Sequence, residues 1–566
     1  MINGITHWDL LSVEKPSRYI GGEWNQAAEK KDALLDVCLS YPDLYELGMS
    51  NIALKILYSI LDKRSDINVE RVFSPWVDFN RLLRSKDVPL FSLERYRPLN
   101  QFHLLGITLP YEMTFTNVLE MLELGKIPLL ASERTSFPIV IAGGPSASNP
   151  APVAAFFDAI LIGDGEEAIL EISDVLLNAK KCNADRKSIL NEISNIEGFY
   201  VPSVPKNVRK RVFHGFHNSP PPLKPVASHV ESVHDRSPIE IFRGCIQGCR
   251  FCNAGFYYRP KRERKAADLA NWSQEIMKNT GDEALGLVSL STSDFSELSD
   301  LVTSIEANLP YPDANFNLPS LRMNDKTLNL IKMASRLKKS GLTFAPEAGT
   351  QRLRDIIGKK ITEEEILSVI EIAKDSAFKV VKLYFMIGLP FETDEDVDGI
   401  AVLVEKIVDR NRRLKLRKEF SISISPFIPK PFTPFQWSEQ ISGAELERRR
   451  KGLISRLRKT GVKVSWRDEF LCTIEAVLAR GDEQAGRLLL AAHAKGCHFD
   501  GWNEHFKPEK WREAFDECQI DISKCIRQRD FSEQLPWSFI DFRVPEKYFR
   551  DEYTRAMELA GGKNNI

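Results

Sequence analysis

Three cysteines carry the most specific chemistry in the chain. Cys245, Cys249 and Cys252 lie in the run RGCIQGCRFC, a Cys-x3-Cys-x2-Cys spacing. Thiolates so placed on a glycine-containing loop can wrap one face of a cubane iron–sulfur cluster, and Gly244 and Gly248 let the backbone approach sulfur closely. A 4Fe–4S cluster normally takes four cysteines, so three leave one iron open to a substrate or cofactor. Two other readings stand beside this one. A Cys3His zinc site would need a fourth ligand nearby, where Asn253 and His234 are the nearest candidates. Three buried cysteines without chemistry is the blander alternative, and it sits poorly with three thiols crowded onto one glycine loop. The other six cysteines, at 38, 182, 472, 497, 518 and 525, are too scattered for a second cluster or a disulfide framework.

Such a loop has to be held at the end of a rigid element. It follows the first of six strand-like runs: IEIFRG, ALGLVSLS, NFNLPS, LTFAPE, VVKLYFMIG and FSISISPF. Helical patterns such as LVTSIEANL, DKTLNLIKMA and EEEILSVIEIAK separate them. Six strand–helix units predict a partial (β/α)6 barrel over 236–440, short of the eight of a closed one. Residues 1–199 alternate in the same way, with LLDVCLS, HLLGITLP, PIVIAGGP and DAILIGDG as strands. That predicts an α/β domain of doubly wound, flavodoxin- or Rossmann-like type, whose ligands lie outside the carboxyl ends of its strands. Residues 200–235 are rich in Pro, Ser and His without periodicity and read as a linker, and 441–566 reads as a mostly helical domain.

Bulk properties narrow the classes. At 566 residues the chain is too long for one core, and 43% hydrophobic with 27% charged residues is an ordinary globular composition. A formal net charge of −1 gives no global attraction to nucleic acid or an anionic membrane. The first residues lack a secretory pattern, and no apolar run approaches the roughly 20 residues that span a bilayer, so a cytoplasmic location is expected. The basic run YYRPKRERK reads better as the solvated start of a helix than as an RNA contact. His493, His498 and His505, with Trp502, read better as helix packing than as a substrate pocket.

The triplet, Phe251 and their position after a first strand resemble the radical S-adenosylmethionine superfamily. The resemblance implies that the open iron chelates S-adenosylmethionine, and that a low-potential electron donor of flavodoxin or ferredoxin type reduces the cluster. Cleavage of the sulfonium then gives a 5′-deoxyadenosyl radical. It also implies cofactor contacts at later strand ends: Ser291, Ser293 and Asp294 in SLSTSDF, Arg322 in NLPSLR, Glu347 in TFAPEAGT, and Gly388 and Pro390 in MIGLPFET. SLSTSDF departs from the common Gly-Gly-Glu form. Taken singly, Arg322 and Glu347 read more readily as surface ion pairs and Gly-Leu-Pro as an ordinary turn; it is their order at consecutive strand ends that points to the cofactor.

The first domain, with LSVEKPSRYIGGEWN ahead of it and SPFIPKPFTPFQW after the barrel, resembles radical S-adenosylmethionine proteins that carry a cobalamin-binding domain. The resemblance implies corrin contacts at Tyr41, Glu46 and Gly48, at Thr108, at Gly143 and Gly144, and at Gly163 and Gly165. Those glycines fit ordinary strand-end turns equally well. Many such domains ligate cobalt through Asp-x-His-x-x-Gly, whereas Pro42 to Gly48 here holds no histidine. With cobalamin, methyl transfer or a rearrangement on an unidentified substrate is expected. Methylthiolation of RNA or protein is an alternative, but that family uses three further N-terminal cysteines and only Cys38 and Cys182 precede the linker. A metal-stabilised RNA-binding or regulatory protein without turnover is the reading from another class.

Overall fold

The computed structural model describes residues 3–233, 236–317, 342–374, 380–416 and 418–561. Its first sheet contains β1 (Leu35–Tyr41), β2 (Ile67–Phe73), β3 (Leu104–Thr108), β4 (Ile139–Gly143), β5 (Ala159–Leu161) and β6 (Phe199–Tyr200), in the order β2-β1-β3-β4-β5-β6. All neighbours run parallel except β5 and β6. Because successive side chains of a strand point to opposite faces, β1 sends Val37 and Leu39 to one side and Cys38 to the other. The first face packs on helices Ile52–Asp62 and Ala168–Cys182, the second on Phe115–Leu124. The order of β1 to β5 is the flavodoxin type, in which winding reverses between β1 and β3 and leaves a crevice at their carboxyl ends.

β2 was not among the strands expected from sequence. Its run INVERVF carries Glu70 and Arg71, which break the apolar pattern, yet every residue of it is buried. Arg71 is buried between Glu94 (2.6 Å) and Glu23 (3.1 Å), and Glu70 takes Arg95 at 2.8 Å and Ser92 at 2.6 Å. Paired and hydrogen-bonded, the charges can enter the interior.

Residues 200–235 are less loose than a linker. β7 (Val208–Arg209) pairs with β17 (Ile540–Asp541), and Phe216 is fully buried. The expected barrel strands all form, as β8 (Ser237–Glu240), β11 (Ala284–Val288), β12 (Asn315–Asn317), β13 (Leu342–Glu347), β14 (Val380–Ile387) and β15 (Glu419–Pro426). An antiparallel ribbon of β9 (Phe242–Arg243) and β10 (Arg262–Glu263) flanks the first of them. A seventh parallel strand, β16 (Lys463–Trp466), adds to β15, so the expected boundary at 440 cuts across the barrel's own sheet. Its four residues KVSW are too few for a periodic signal.

Helix Asp394–Arg413 shows why the barrel's covering helices form. Thr393 and Asp396 make a reciprocal capping box, three acids open the helix and three arginines close it. Val397, Ile400, Ala401, Val404 and Ile407 then line one buried face at helical spacing. Beyond β16 the chain is helical except for β17, but it does not stand apart. Trp437, Trp511 and Trp537 share one core with Val118 of the first domain and with Phe427 and Phe435 of the Pro-rich segment after β15.

Arg71→Met is expected to cost about 3–5 kcal/mol, because it strands two buried carboxylates. A urea titration measures the loss, and adding Glu23→Gln and Glu94→Gln should recover most of it.

Candidate active site

The cysteine loop is fixed from below by Arg250, a guanidinium 4% exposed. It donates to the carbonyls of Asp355 (3.1 Å) and Ile356 (2.6 Å) and pairs with Glu552 at 2.9 Å. At Gly244 (φ +94°) a Cβ would stand 2.6 Å from the Pro260 carbonyl, so the loop's entry tolerates only glycine. Backbone N–H groups already face the sulfurs: Gln247 donates to Cys245 Sγ (3.5 Å) and Gly255 to Cys252 Sγ (3.3 Å). Hydrogen bonds of this kind tune the potential of a ligated cluster. Burial, with the neighbouring Cys249, Cys245 and Glu347 charges, pushes the Cys252 thiol up to about 12. A thiol so placed stays protonated until a metal ion binds the sulfur and displaces the proton to solvent.

The donor set is three thiols, two of them already facing backbone N–H groups. Asn253 is no fourth ligand, since its amide donates to the Pro431 carbonyl at 2.8 Å, and His234 lies outside the described residues. Three thiols with N–H donors fit a cluster whose irons are ligated one by one.

Several expected cofactor residues surround this loop. Asp294 accepts from the Gln247 amide at 2.7 Å, so the first barrel loop and the end of β11 are joined directly. Ser291 and Ser293 are buried beside it. Glu347 ends β13 at φ +69°; burial raises its carboxyl, opposed by Lys359 at 3.2 Å. Gly388 turns against Ile441 and donates its N–H to Glu392 at 2.6 Å, with Pro390 two residues on. Phe251 packs on the shared core. Arg322 lies outside the described residues.

Strand alternation supplies residues the motifs did not. The faces of β14 and β15 that carry Leu383, Phe385, Ile422 and Ile424 pack on the helices. The opposite faces therefore look into the barrel, where Lys382, Tyr384 and Met386 stand in register with Ser421, Ser423 and Ser425. The SISIS alternation was the available signal.

A cleft of about 380 Å³ opens between the first sheet and the barrel. Its floor is the carboxyl ends of β3 and β4, with Thr108, Gly143, Gly144, Gly163 and Gly165, and the start of helix Ile52–Asp62. Its roof is Phe242 to Gly244, with Tyr257, Tyr258 and Ser289. Arg243 ties floor to roof, meeting Asp164 (2.9 Å), Glu166 (2.8 Å) and Glu240 (2.9 Å), and Arg262 also reaches Asp164 (2.5 Å). Burial would raise the Asp164 carboxyl, but the Arg243 and Arg262 charges hold it below the usual carboxylate range.

Tyr41, Glu46 and Gly48, expected on the same wall, are not there. Glu46 is taken by Arg18 (2.9 Å) and Lys15 (3.0 Å), and Gly48 packs on the Phe73 ring. The C-terminal segment covers their loop, with the Trp502 indole donating to Asp43 at 3.0 Å. His493 likewise serves packing. Its imidazole lies between Glu120 (3.7 Å) and Glu123 (3.3 Å), which Arg84 already bridges at 2.7 Å each.

Residues 239–404 match the family described as the Radical SAM superfamily, and residues 53–202 match Radical SAM proteins, N-terminal. Protein MJ0966 of Methanocaldococcus jannaschii is 30% identical over 460 residues, spanning 80% of this chain and 90% of that protein. Among solved structures, the radical S-adenosylmethionine methyltransferase TsrM of Kitasatospora setae is similar in fold, with a TM-score of 0.50 at 13% identity over 86% of this chain and 100% of that one. The chain belongs to the radical S-adenosylmethionine superfamily. It is an enzyme that works with a 4Fe–4S cluster and S-adenosylmethionine and draws on a reductant. No helix among the described residues is long and apolar enough to cross a membrane.

The carboxyl of Asp164 is depressed in the fold, so its stabilising contribution is complete above its unfolded value of about 3.9 and is lost as pH falls through the lower folded value. Asp164→Asn is expected to lower the thermal midpoint at neutral pH and to flatten its decline below pH of about 4. Thermal melts across that range test it, and parallel curves for the two proteins would refute it.

Proposed function

We propose that Cys245, Cys249 and Cys252 hold the cluster and that the cleft takes a corrinoid, which the enzyme uses to transfer a methyl group to a carbon of its substrate. One observation carries this reading: Gly244 belongs both to the cleft's roof and to the first turn of the cysteine loop. Whatever fills the cleft therefore sits against the loop that carries the metal. The cleft has the position expected of a ligand in a doubly wound sheet and a mainly apolar lining, which suits a macrocycle. Among the described residues no histidine lines it. A TsrM structure with cobalamin and a 4Fe–4S cluster bound, similar in fold at a TM-score of 0.50, supports the assignment.

When bound, the cluster, S-adenosylmethionine and corrinoid supply one-electron cleavage and a methyl carrier; the chain supplies placement and exclusion of water. Ser291, Ser293, Asp294, Glu347, the Gly388–Pro390 turn and Phe251 are assigned to framing S-adenosylmethionine, with Arg322 assigned by its motif. Lys382, Tyr384 and the serines of β15 would offer hydrogen bonds to a polar substrate inside the barrel.

Two rival readings have observations against them. Methylthiolation needs a second cysteine set, but Cys38 is buried in β1 while Cys182 is exposed at the end of helix Ala168–Cys182. A zinc-stabilised binding protein would need a fourth ligand, and the amide of Asn253, the candidate beside the triplet, donates to the Pro431 carbonyl instead.

Anaerobic purification with hydroxocobalamin supplied should give about four irons per chain and a corrin absorbance that survives gel filtration. Replacing any of Cys245, Cys249 or Cys252 by alanine should remove the iron and the cleavage of S-adenosylmethionine. Iron without corrin would sink the assignment of the cleft, and one zinc without cleavage would sink both.

A further inference from the structure

A second cleft, of about 400 Å³, lies against the cysteine loop, walled by Ile246, Gln247 and Gly248. Its character is unlike that of the first. Five cationic side chains and two carboxylates line it, in a chain whose formal net charge is −1. Arg250 and Lys359 turn inward onto Glu552 and Glu347. Arg259, stacked on the Phe256 and Tyr548 rings at 4.4 and 5.7 Å, keeps its charge at the cleft, and a Cβ on Gly248 would stand 3.7 Å from its guanidinium. Lys360 is exposed, and Arg555 is 69% exposed with Glu552 no nearer than 3.9 Å.

Two large apolar side chains are also exposed here, Ile246 at 61% and Leu559 at 50%. Apolar groups with a polar rim mark an interaction surface, and a rim in which cations outnumber carboxylates five to two favours an acidic partner. The loop residues that form the wall are bracketed by Cys245 and Cys249. A partner seated here therefore lies against the loop that carries the cysteines.

We propose that this cleft is the docking surface for a small acidic redox protein with a low-potential centre, which delivers the electron to the cluster. One electron leaves the partner's reduced centre, and the cluster gains it; no proton or group moves. The proposal rests on the assignment of the cluster to the three cysteines.

The test pairs two reductants and one binding measurement. In the reconstituted enzyme, Lys360→Glu with Arg555→Glu should raise the KM for a reduced acidic flavodoxin at least about tenfold. Cleavage of S-adenosylmethionine driven by dithionite, which needs no docking, should be unchanged. Calorimetric binding of oxidised flavodoxin at low salt should weaken by a similar factor. Lys451→Glu with Lys463→Glu, 76% and 85% exposed and outside the cleft, controls for overall charge and should leave all three readings as they were. Equal flavodoxin binding and KM in both charge variants would overturn the surface, as would a parallel loss of the dithionite rate. Absence of cleavage with either reductant in the unaltered enzyme would overturn the cluster assignment itself.

Discussion

The buried guanidinium of Arg243 is the constraint on which the site depends. It stands two residues ahead of Cys245 and is held by Asp164 and Glu166 of the first sheet and Glu240 of the barrel. Its orientation fixes three things together: the floor of the cleft, its roof and the start of the cysteine loop. A cluster of desolvated charges is an expensive way to join two units, and apolar packing often does as well. An apolar seam, however, can slide, whereas a planar fork bonded to three carboxylates has a single register. Phe216, from the segment that composition marks as a linker, packs under the charges. Arg243, Arg262 and Arg264 lie 5.0, 6.0 and 4.2 Å from its ring. The connection between the domains is thus part of the mechanism that sets their distance.

Arg250 does for the far end of the loop what Arg243 does for the near end. Between them the loop's own hydrogen bonds are few, and it carries two turning glycines. Left to itself such a segment would sample many shapes, and its order comes from guanidinium groups anchored elsewhere. Those anchors lie far off in sequence, on residues 355–356 and Glu552 for Arg250 and on residues 164 and 166 for Arg243.

That separation explains what could be read from the chain. The six barrel strands were legible because an alternation is local, as are the spacing of the cysteine triplet and the turns at the strand ends. β2 escaped because its charges are neutralised by partners that pattern cannot supply, and β16 because it is too short to show a period. Of the eight residues expected on one wall, Thr108, Gly143, Gly144, Gly163 and Gly165 line the cleft and Tyr41, Glu46 and Gly48 do not. Every loop at the carboxyl edge of a doubly wound sheet has the same glycine-marked appearance, and which of them faces the barrel is a tertiary decision. Here the loop after β1 is covered by Trp502, from a segment some 460 residues later. Thr108 and the glycines after β4 and β5 remain on the open side. Arg243 passed unremarked because its neighbours, not its motif, give it its role.

The cysteine loop is best understood as a partition. On one side, at Gly244, it closes an apolar cleft; on the other, at Ile246 to Gly248, it walls a cationic one. Through the Gln247–Asp294 hydrogen bond it reaches the end of β11 and the barrel interior. A radical reaction needs an electron admitted and water kept out at the same metal. A single opening serves those demands badly, since a mouth wide enough for a redox protein also admits solvent to the reacting atoms. Two openings beside one rigid loop would separate them if, as proposed, charge arrives at the cationic cleft and reactants meet away from it. The rigidity that Arg243 and Arg250 impose is then what allows the wall to be thin.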